Sequence, residues 1–160
     1  MLTVDIPGDF HGGVHLSLAH LVLDYNGTIA EDGALIAGVP ERLVQLAEYL
    51  TIHVITADTH GSAAQKLAGL PVSLSILPPG AQNEAKADFV RELGADQCAA
   101  IGNGRNDATM LQEAALGLVV IQAEGAAQIA VAAADIVSKS IEDALDLLLR
   151  PKRLIATLRN

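Results

Sequence analysis

Residues 21–28 read LVLDYNGT, and the interpretation of the whole chain follows from them. Leu21, Val22 and Leu23 form an apolar run without polar alternation, the pattern of a strand buried on both faces. The run ends in a carboxylate, Asp24, followed by Tyr25, Asn26 and a glycine turn at Gly27. An acid delivered to the end of a buried strand needs a reason. So does the amide, rather than a second acid, two residues later.

Outward from this stretch, apolar runs and amphipathic runs alternate. Strands are expected at Leu2–Ile6, His20–Asp24, Thr51–Thr56, Val72–Ile76, Cys98–Ile101, Gly117–Ile121 and Asp135–Val137. Pro40 suits the first turn of a helix, and Val39, Leu43, Leu46, Ala47 and Leu50 continue it as one apolar stripe. Further helices are expected at Gly61–Ala68, Gln82–Leu93, Asn106–Ala115, Gly125–Ala134 and Ile141–Leu149, with a last one after Pro151. Strand–helix alternation implies right-handed crossovers and an α/β, doubly wound parallel sheet. No repeat or long linker divides residues 1–160, so one domain is expected.

Composition agrees. Hydrophobic residues make up 51% of the chain, yet Phe10, Tyr25, Tyr49 and Phe89 are its only aromatic residues, so the core must be aliphatic. The net charge of −9 argues against a broad nucleic-acid surface, which needs clustered Lys and Arg. No apolar stretch approaches the roughly 20 residues of a membrane span. The start, MLTVDIPGDF, lacks the basic and apolar regions of a signal peptide, so a cytoplasmic location is expected. Cys98, the single cysteine, is expected to be a small buried hydrophobe.

In a doubly wound sheet, ligands bind beyond the carboxyl ends of the strands, near the point where strand order reverses. Three such ends carry polar clusters: DYNGT (24–28), TAD (56–58) and GNGRND (102–107). Together they suit a phosphate and a hard cation. Asp24 can attack phosphorus or ligate Mg²⁺, although an Asp here serves equally as a turn cap. Gly27 lets backbone N–H groups approach a phosphoryl group, and Thr28 offers a hydroxyl. Thr56 can hold a phosphate oxygen or simply end its strand. Lys86 lies on the inward stripe of its helix with Phe89, Val90 and Leu93, in the first turn, where the helix dipole disfavours a cation. It therefore wants an anion such as a phosphate or Asp24; the alternative is a stem that snorkels to water. In GNGRND, Asn103 and Asp107 are candidates to face a cation held by Asp24, directly or through waters, and Arg105 to contact a phosphate or a substrate tail. An N-cap role for Asn106 or Asp107 is the plainer account.

This order of nucleophile, hydroxyl, lysine and acidic loop resembles the haloacid dehalogenase-like (HAD) superfamily of phosphotransferases, over nearly the whole chain. Within it, the phosphorylation domain of P-type ATPases offers DKTGT, TGD and GDGxND, which are similar to Asp24–Thr28, Thr56–Asp58 and Gly102–Asp107. The resemblance implies a three-layer Rossmann-like core, with Asp24 as nucleophile and Thr56 and Lys86 as phosphate-binding groups. It also implies Mg²⁺ held by Asp24, the backbone carbonyl of Asn26 and the loop with Asn103 and Asp107. Tyr25, Gly27, Thr28, Ala57, Asp58 and Arg105 complete the candidate phosphate- or substrate-binding set. Ion transport is not expected, because 160 residues hold no pump's membrane helices or accessory domains. The intervals that carry cap domains in related phosphatases are short here, with room after the nucleophile only for a β-flap turning at Asp32-Gly33. A capless, open site suits a small or macromolecular phosphorylated substrate, or a homo-oligomer whose neighbouring subunit walls off the site.

Two departures matter. Related phosphatases carry a second Asp where Asn26 stands, to protonate the leaving group and later deprotonate water; an amide cannot shuttle a proton. The first acid of the GDGxND loop is likewise Asn103. The expected activity is thus an Mg²⁺-dependent phosphatase or phosphotransferase that is slow or restricted to good leaving groups. The competing expectation is a non-catalytic phosphate- or metal-binding regulatory module. A dehalogenase is disfavoured, since no cap encloses an apolar pocket. His11 and His15 lack further ligands for a metal and are read as part of an N-terminal turn. Arg150, Lys152, Arg153 and Arg159 form either a partner surface or a solvated helix end.

Overall fold

The structure, a computed structural model, describes residues 1–8, 12–57 and 61–160. Phe10, His11 and Asp58 lie outside the described residues. Six parallel strands form the central sheet: β3 (His20–Asp24), β6 (Thr51–Thr56), β7 (Val72–Ile76), β8 (Cys98–Gly102), β9 (Leu116–Val120) and β10 (Ile136–Ser138). Their order is β10-β9-β8-β3-β6-β7, so the chain steps from β3 to β6 and β7, then crosses back to β8 on the other side of β3. The order therefore reverses between β3 and β8, beside the carboxyl end of β3, where Asp24 stands.

The sheet's two faces are covered by different helices. Leu21 and Leu23 of β3 join a core with Val39, Leu43 and Leu46 of α1 (Val39–Leu46), Ala63 and Leu67 of α2 (Ser62–Leu67), Leu145 and Leu148 of α6 (Ile141–Leu149) and Leu154 of α7 (Pro151–Leu158). Val22 points the other way, into a core with Val90 of α3 (Gln82–Leu93), Met110 and Leu111 of α4 (Ala108–Glu113) and Ala130 of α5 (Gln128–Ala133). The two-faced burial of β3 is what its unbroken apolar run demands. Cys98 is fully buried and reduced, as its Ala-rich setting suggests.

Two short strands, β4 (Ala30–Glu31) and β5 (Ala34–Leu35), form the expected flap. Its turn residues Asp32 and Gly33 both have positive φ, 50° and 80°, as a tight hairpin of right-handed twist requires. Between Thr56 and Gln82, where α3 begins, the described residues hold only α2, β7 and their loops, and no inserted cap. No helix among the described residues is long and apolar enough to cross a membrane.

The N-terminal segment departs from expectation. Residues Val14–Leu18 form β2, antiparallel to β1 (Leu2–Ile6), with Leu2 opposite Leu18 and Ile6 opposite Val14. Leu16 and Leu18 alternate into the core beside Val4 and Ile6. His15 is a strand residue, not part of a turn: its Nδ1 lies 2.6 Å from Oδ1 of Asp5, its register partner, at the surface. The two-residue alternation of VHLSL carries this strand, but glycines 12 and 13 mask it by resembling a loop.

Two helix starts also move. The expected helix from Asn106 opens instead with a 3-10 turn, Arg105–Asp107, ahead of α4. The expected helix from Gly125 begins only at Gln128. The intervening residues are tied to the loop after β8 instead: Ala127 N donates to Asn103 O, and Asn103 Nδ2 donates to Gly125 O.

Candidate active site

Lys86 organises the centre of the site. The residue is 1% exposed, and its ammonium donates to Asp24 Oδ1 at 2.6 Å and to Asp107 Oδ1 at 2.7 Å. The cation that its helix position disfavours is thus held by two carboxylates from other segments. Burial works against the charge, but Asp24 and Asp107 outweigh it and hold Lys86 above the ordinary lysine value. Asp24 is raised as well, which for an acid disfavours the charged form. Burial first, then the charge of Asp107, raise it to about 7, against the pull of Lys86 and Thr28.

Each remaining oxygen has a partner. Thr28 Oγ lies 3.1 Å from Asp24 Oδ2 and 3.3 Å from Asn103 Oδ1, so its single proton is shared between them. Asp107 Oδ2 accepts from the backbone N–H groups of Asn103 at 3.0 Å and Gly104 at 2.8 Å. Gly102 must lack a side chain, because a Cβ there would stand 2.5 Å from Asp107 Cγ.

Above Asp24 opens a cavity of about 360 Å³, lined by Asp24, Asn26, Thr56, Ala57, Lys86 and Asn103, with Gln82, Gly104, Asn106 and Glu124 completing its wall. Three strand ends and the start of α3 therefore converge on one polar concavity. The donors facing it are oxygen atoms of carboxylate, amide and backbone groups, the hard set that Mg²⁺ prefers. That donor set fits a divalent cation held by Asp24, the carbonyl of Asn26 and the Asn103 amide.

Several candidates take other places. Asp107 is fully buried, with one oxygen on Lys86 and the other on two backbone amides, so it anchors the lysine and does not line the cavity. Tyr25 is buried in the core, and its hydroxyl donates to Gly33 O at 3.2 Å, tying the flap down. Thr28 lies fully buried behind Asp24. Arg105 is exposed and lines a neighbouring cavity of about 580 Å³ with Thr109, Gln112 and Ile129. The 3-10 turn explains its displacement, since it directs Asp107 inward and Arg105 outward.

Gln122 and Glu124 were not among the sequence candidates. Gln122 Nε2 donates to the carbonyls of Gly27 and Thr28 at 3.1 and 2.9 Å, while its Oε1 accepts from Ile141 N at 2.7 Å. This pins the loop that follows Asp24 to the start of α6. The signal was present: IQAEG follows β9 directly, a fourth polar strand end. Gly27 itself has φ 77°, and a Cβ there would meet Glu124 Oε2 and Asn103 Nδ2, the latter at 2.7 Å. Gly27→Ala is therefore expected to cost about 1–2 kcal/mol from the left-handed backbone alone. Urea denaturation checks this, and a variant as stable as wild type would refute it.

Comparison with known proteins adds three findings. A family model described as haloacid dehalogenase-like hydrolase matches residues 66–145, half of the chain. An uncharacterised protein of Methanocaldococcus jannaschii is 45% identical over 85 residues, covering 51% of this chain and 91% of that protein. Among solved structures, 3-deoxy-D-manno-octulosonate 8-phosphate phosphatase from Moraxella catarrhalis, in complex with magnesium, phosphate and KDO, superposes with a TM-score of 0.69 at 18% identity. The match covers 89% of this chain and 94% of that one. The cobalt-bound octulosonate phosphatase of Haemophilus influenzae gives a TM-score of 0.69 at 14% identity, over 90% and 94% of the two chains. At these identities the structural likeness establishes the fold.

Proposed function

The chain belongs to the haloacid dehalogenase-like hydrolase family, and on that footing we propose that it is an Mg²⁺-dependent phosphatase working through an aspartyl-phosphate at Asp24. The observation that carries this reading is the buried Asp24–Lys86–Asp107 chain at the strand-order reversal, with one face of Asp24 open to a polar cavity. Crystallisation of related phosphatases with magnesium or cobalt lends support for a divalent ion.

In the proposed reaction an Asp24 oxygen forms a bond to phosphorus as the bond to the leaving oxygen breaks, and that oxygen departs with the electron pair. Water then attacks phosphorus, releasing inorganic phosphate and restoring the carboxylate. Lys86 balances the charge at Asp24 and fixes its rotamer, while Thr28 holds its second oxygen. The Thr56 hydroxyl and the Ala57 N–H bind phosphoryl oxygens at the cavity wall. A divalent ion, when bound to Asp24, Asn26 and Asn103, neutralises phosphoryl charge and favours the ionised nucleophile.

Asn26 narrows the substrate class. With an amide at the cavity mouth, no proton is offered to the leaving oxygen, so acyl, aryl or nucleotide phosphates are cleaved in preference to simple alkyl esters. Asn26→Asp is expected to raise turnover of an alkyl phosphate by up to about 10²-fold, with a smaller gain on an aryl phosphate. Equal rates for wild type and variant on both esters would remove Asn26 from the account.

The decisive test is a screen of phosphate esters and anhydrides with Mg²⁺, joined to trapping of phosphorylated Asp24 by mass spectrometry. The replacement of two acids by Asn26 and Asn103 favours a second reading, a phosphate- or metal-binding regulatory module. That module would bind beryllofluoride with Mg²⁺ and turn over none of the panel.

A further inference from the structure

We propose that Glu124 is the second carboxylate of the cation site, returning from the loop after β9 the charge that Asn103 withholds. The inference rests on the divalent-ion site of the proposed phosphatase and adds to it a residue from outside the segments that carry the resemblance.

Charge makes the need plain. With Asp24 ionised, it and Asp107 carry two negative charges, and Lys86, bonded to both, cancels one. Asp107 spends both oxygens on Lys86 and backbone amides. A divalent cation beside Asp24 would thus face one net negative charge and two neutral oxygen donors, from Asn26 and Asn103. One more carboxylate balances it.

Glu124 is the acid in position to do so. It lines the same cavity as Asp24, Asn26 and Asn103. Its Oε2 and the Asn103 amide crowd the same point over Gly27, where a Cβ would stand 2.7 Å from Nδ2 and 2.9 Å from Oδ1 of Asn103. The absent side chain of Gly27 is what lets the carboxylate and the amide stand together there. The backbone around Glu124 is anchored on both sides: Gln122 holds the carbonyls of Gly27 and Thr28, and Asn103 holds Gly125 and Ala127. Those contacts are the reason α5 starts late. Within that anchored loop the Glu124 carboxylate makes no hydrogen bond or ion pair among the described residues. No three His, Cys, Asp or Glu side chains gather as a metal-ligating group among those residues. In this proposal Glu124 acts across the waters that Mg²⁺ retains, as an outer carboxylate.

The test is cation affinity, measured on the full chain by calorimetry with Mg²⁺ and by the electron paramagnetic resonance of Mn²⁺. Glu124→Gln is expected to weaken binding by about tenfold, the scale of outer-shell changes, without altering the thermal midpoint of the metal-free protein. Asn103→Asp added to Glu124→Gln should restore the affinity. Binding by Glu124→Gln within about twofold of wild type overturns the inference, as does a double variant that stays weak. Asp24→Asn separates the two levels. If it loses the cation while Glu124→Gln keeps it, only the role of Glu124 fails; if wild type binds neither ion, the cation site of the proposed function fails with it.

Discussion

Asp24→Asn is expected to lower phosphate-ester hydrolysis by at least about 10³-fold, the scale on which loss of a covalent nucleophile acts. The loss should come without unfolding. An amide at this position keeps an oxygen for Lys86 or Thr28, and Lys86 retains Asp107 at 2.7 Å. The variant also removes a charge that the fold holds at a cost. Because the folded state raises Asp24 to about 7, its contribution to stability is complete below the unfolded value of 3.8 and is lost as pH rises through about 7. Asp24→Asn lacks this titration. The stability difference between the two proteins, from urea denaturation without added metal, should therefore shift in the variant's favour across that window. A flat difference would mean that Asp24 is not strained by burial. Unchanged hydrolysis by the pure variant would mean that it is not the nucleophile.

Lys86→Met has the largest expected effect on stability. It leaves two buried carboxylates facing each other without a counter-charge, and breaking a buried pair by removing one partner costs about 3–5 kcal/mol. The sign with pH follows from the same groups. Lys86 lowers Asp24 through both its charge and its hydrogen bond, so its removal raises Asp24 further. A raised acid stabilises the protonated fold, and the deficit of the variant should be smaller near about pH 5 than near about pH 8. Denaturation curves at the two values measure it. A deficit that does not depend on pH would assign the cost to lost packing of the lysine stem instead. Activity should be lost at both values, since the ammonium cannot be replaced by a thioether.

Not every site residue announced itself equally in the chain. Asp24 and Thr56 were legible because the rule for doubly wound sheets points to strand ends, and both end apolar runs. Lys86 was legible as a conflict: a cation on an inward stripe in a first helical turn must have an anionic partner. Which partner was beyond the sequence, since a phosphate, Asp24 and Asp107 all satisfy it. Asp107 illustrates the limit. As a loop acid beside glycines it looked like a cation ligand, yet the 3-10 turn rotates it under the loop, where Lys86 and two backbone amides consume it. The same turn carries Arg105 to a different cavity. Tyr25 adjoins Asp24 in the chain, but alternation sends its ring into the core, and only its hydroxyl reaches the flap.

By itself the sequence determined the alternation of strands and helices, the parallel sheet and the strand ends at which chemistry gathers. These depend on local pattern: an apolar run covered on both faces, a stripe at helical spacing, a glycine where φ is positive. The tertiary structure alone decided the partners. Lys86 bonds to acids 62 and 21 residues away, and Gln122 reaches the carbonyl of Gly27 across 95 residues. No local period encodes such pairings. They exist only once the sheet order β10-β9-β8-β3-β6-β7 sets those loops side by side, and burial then leaves each charge and amide with no solvent to replace the partner it finds.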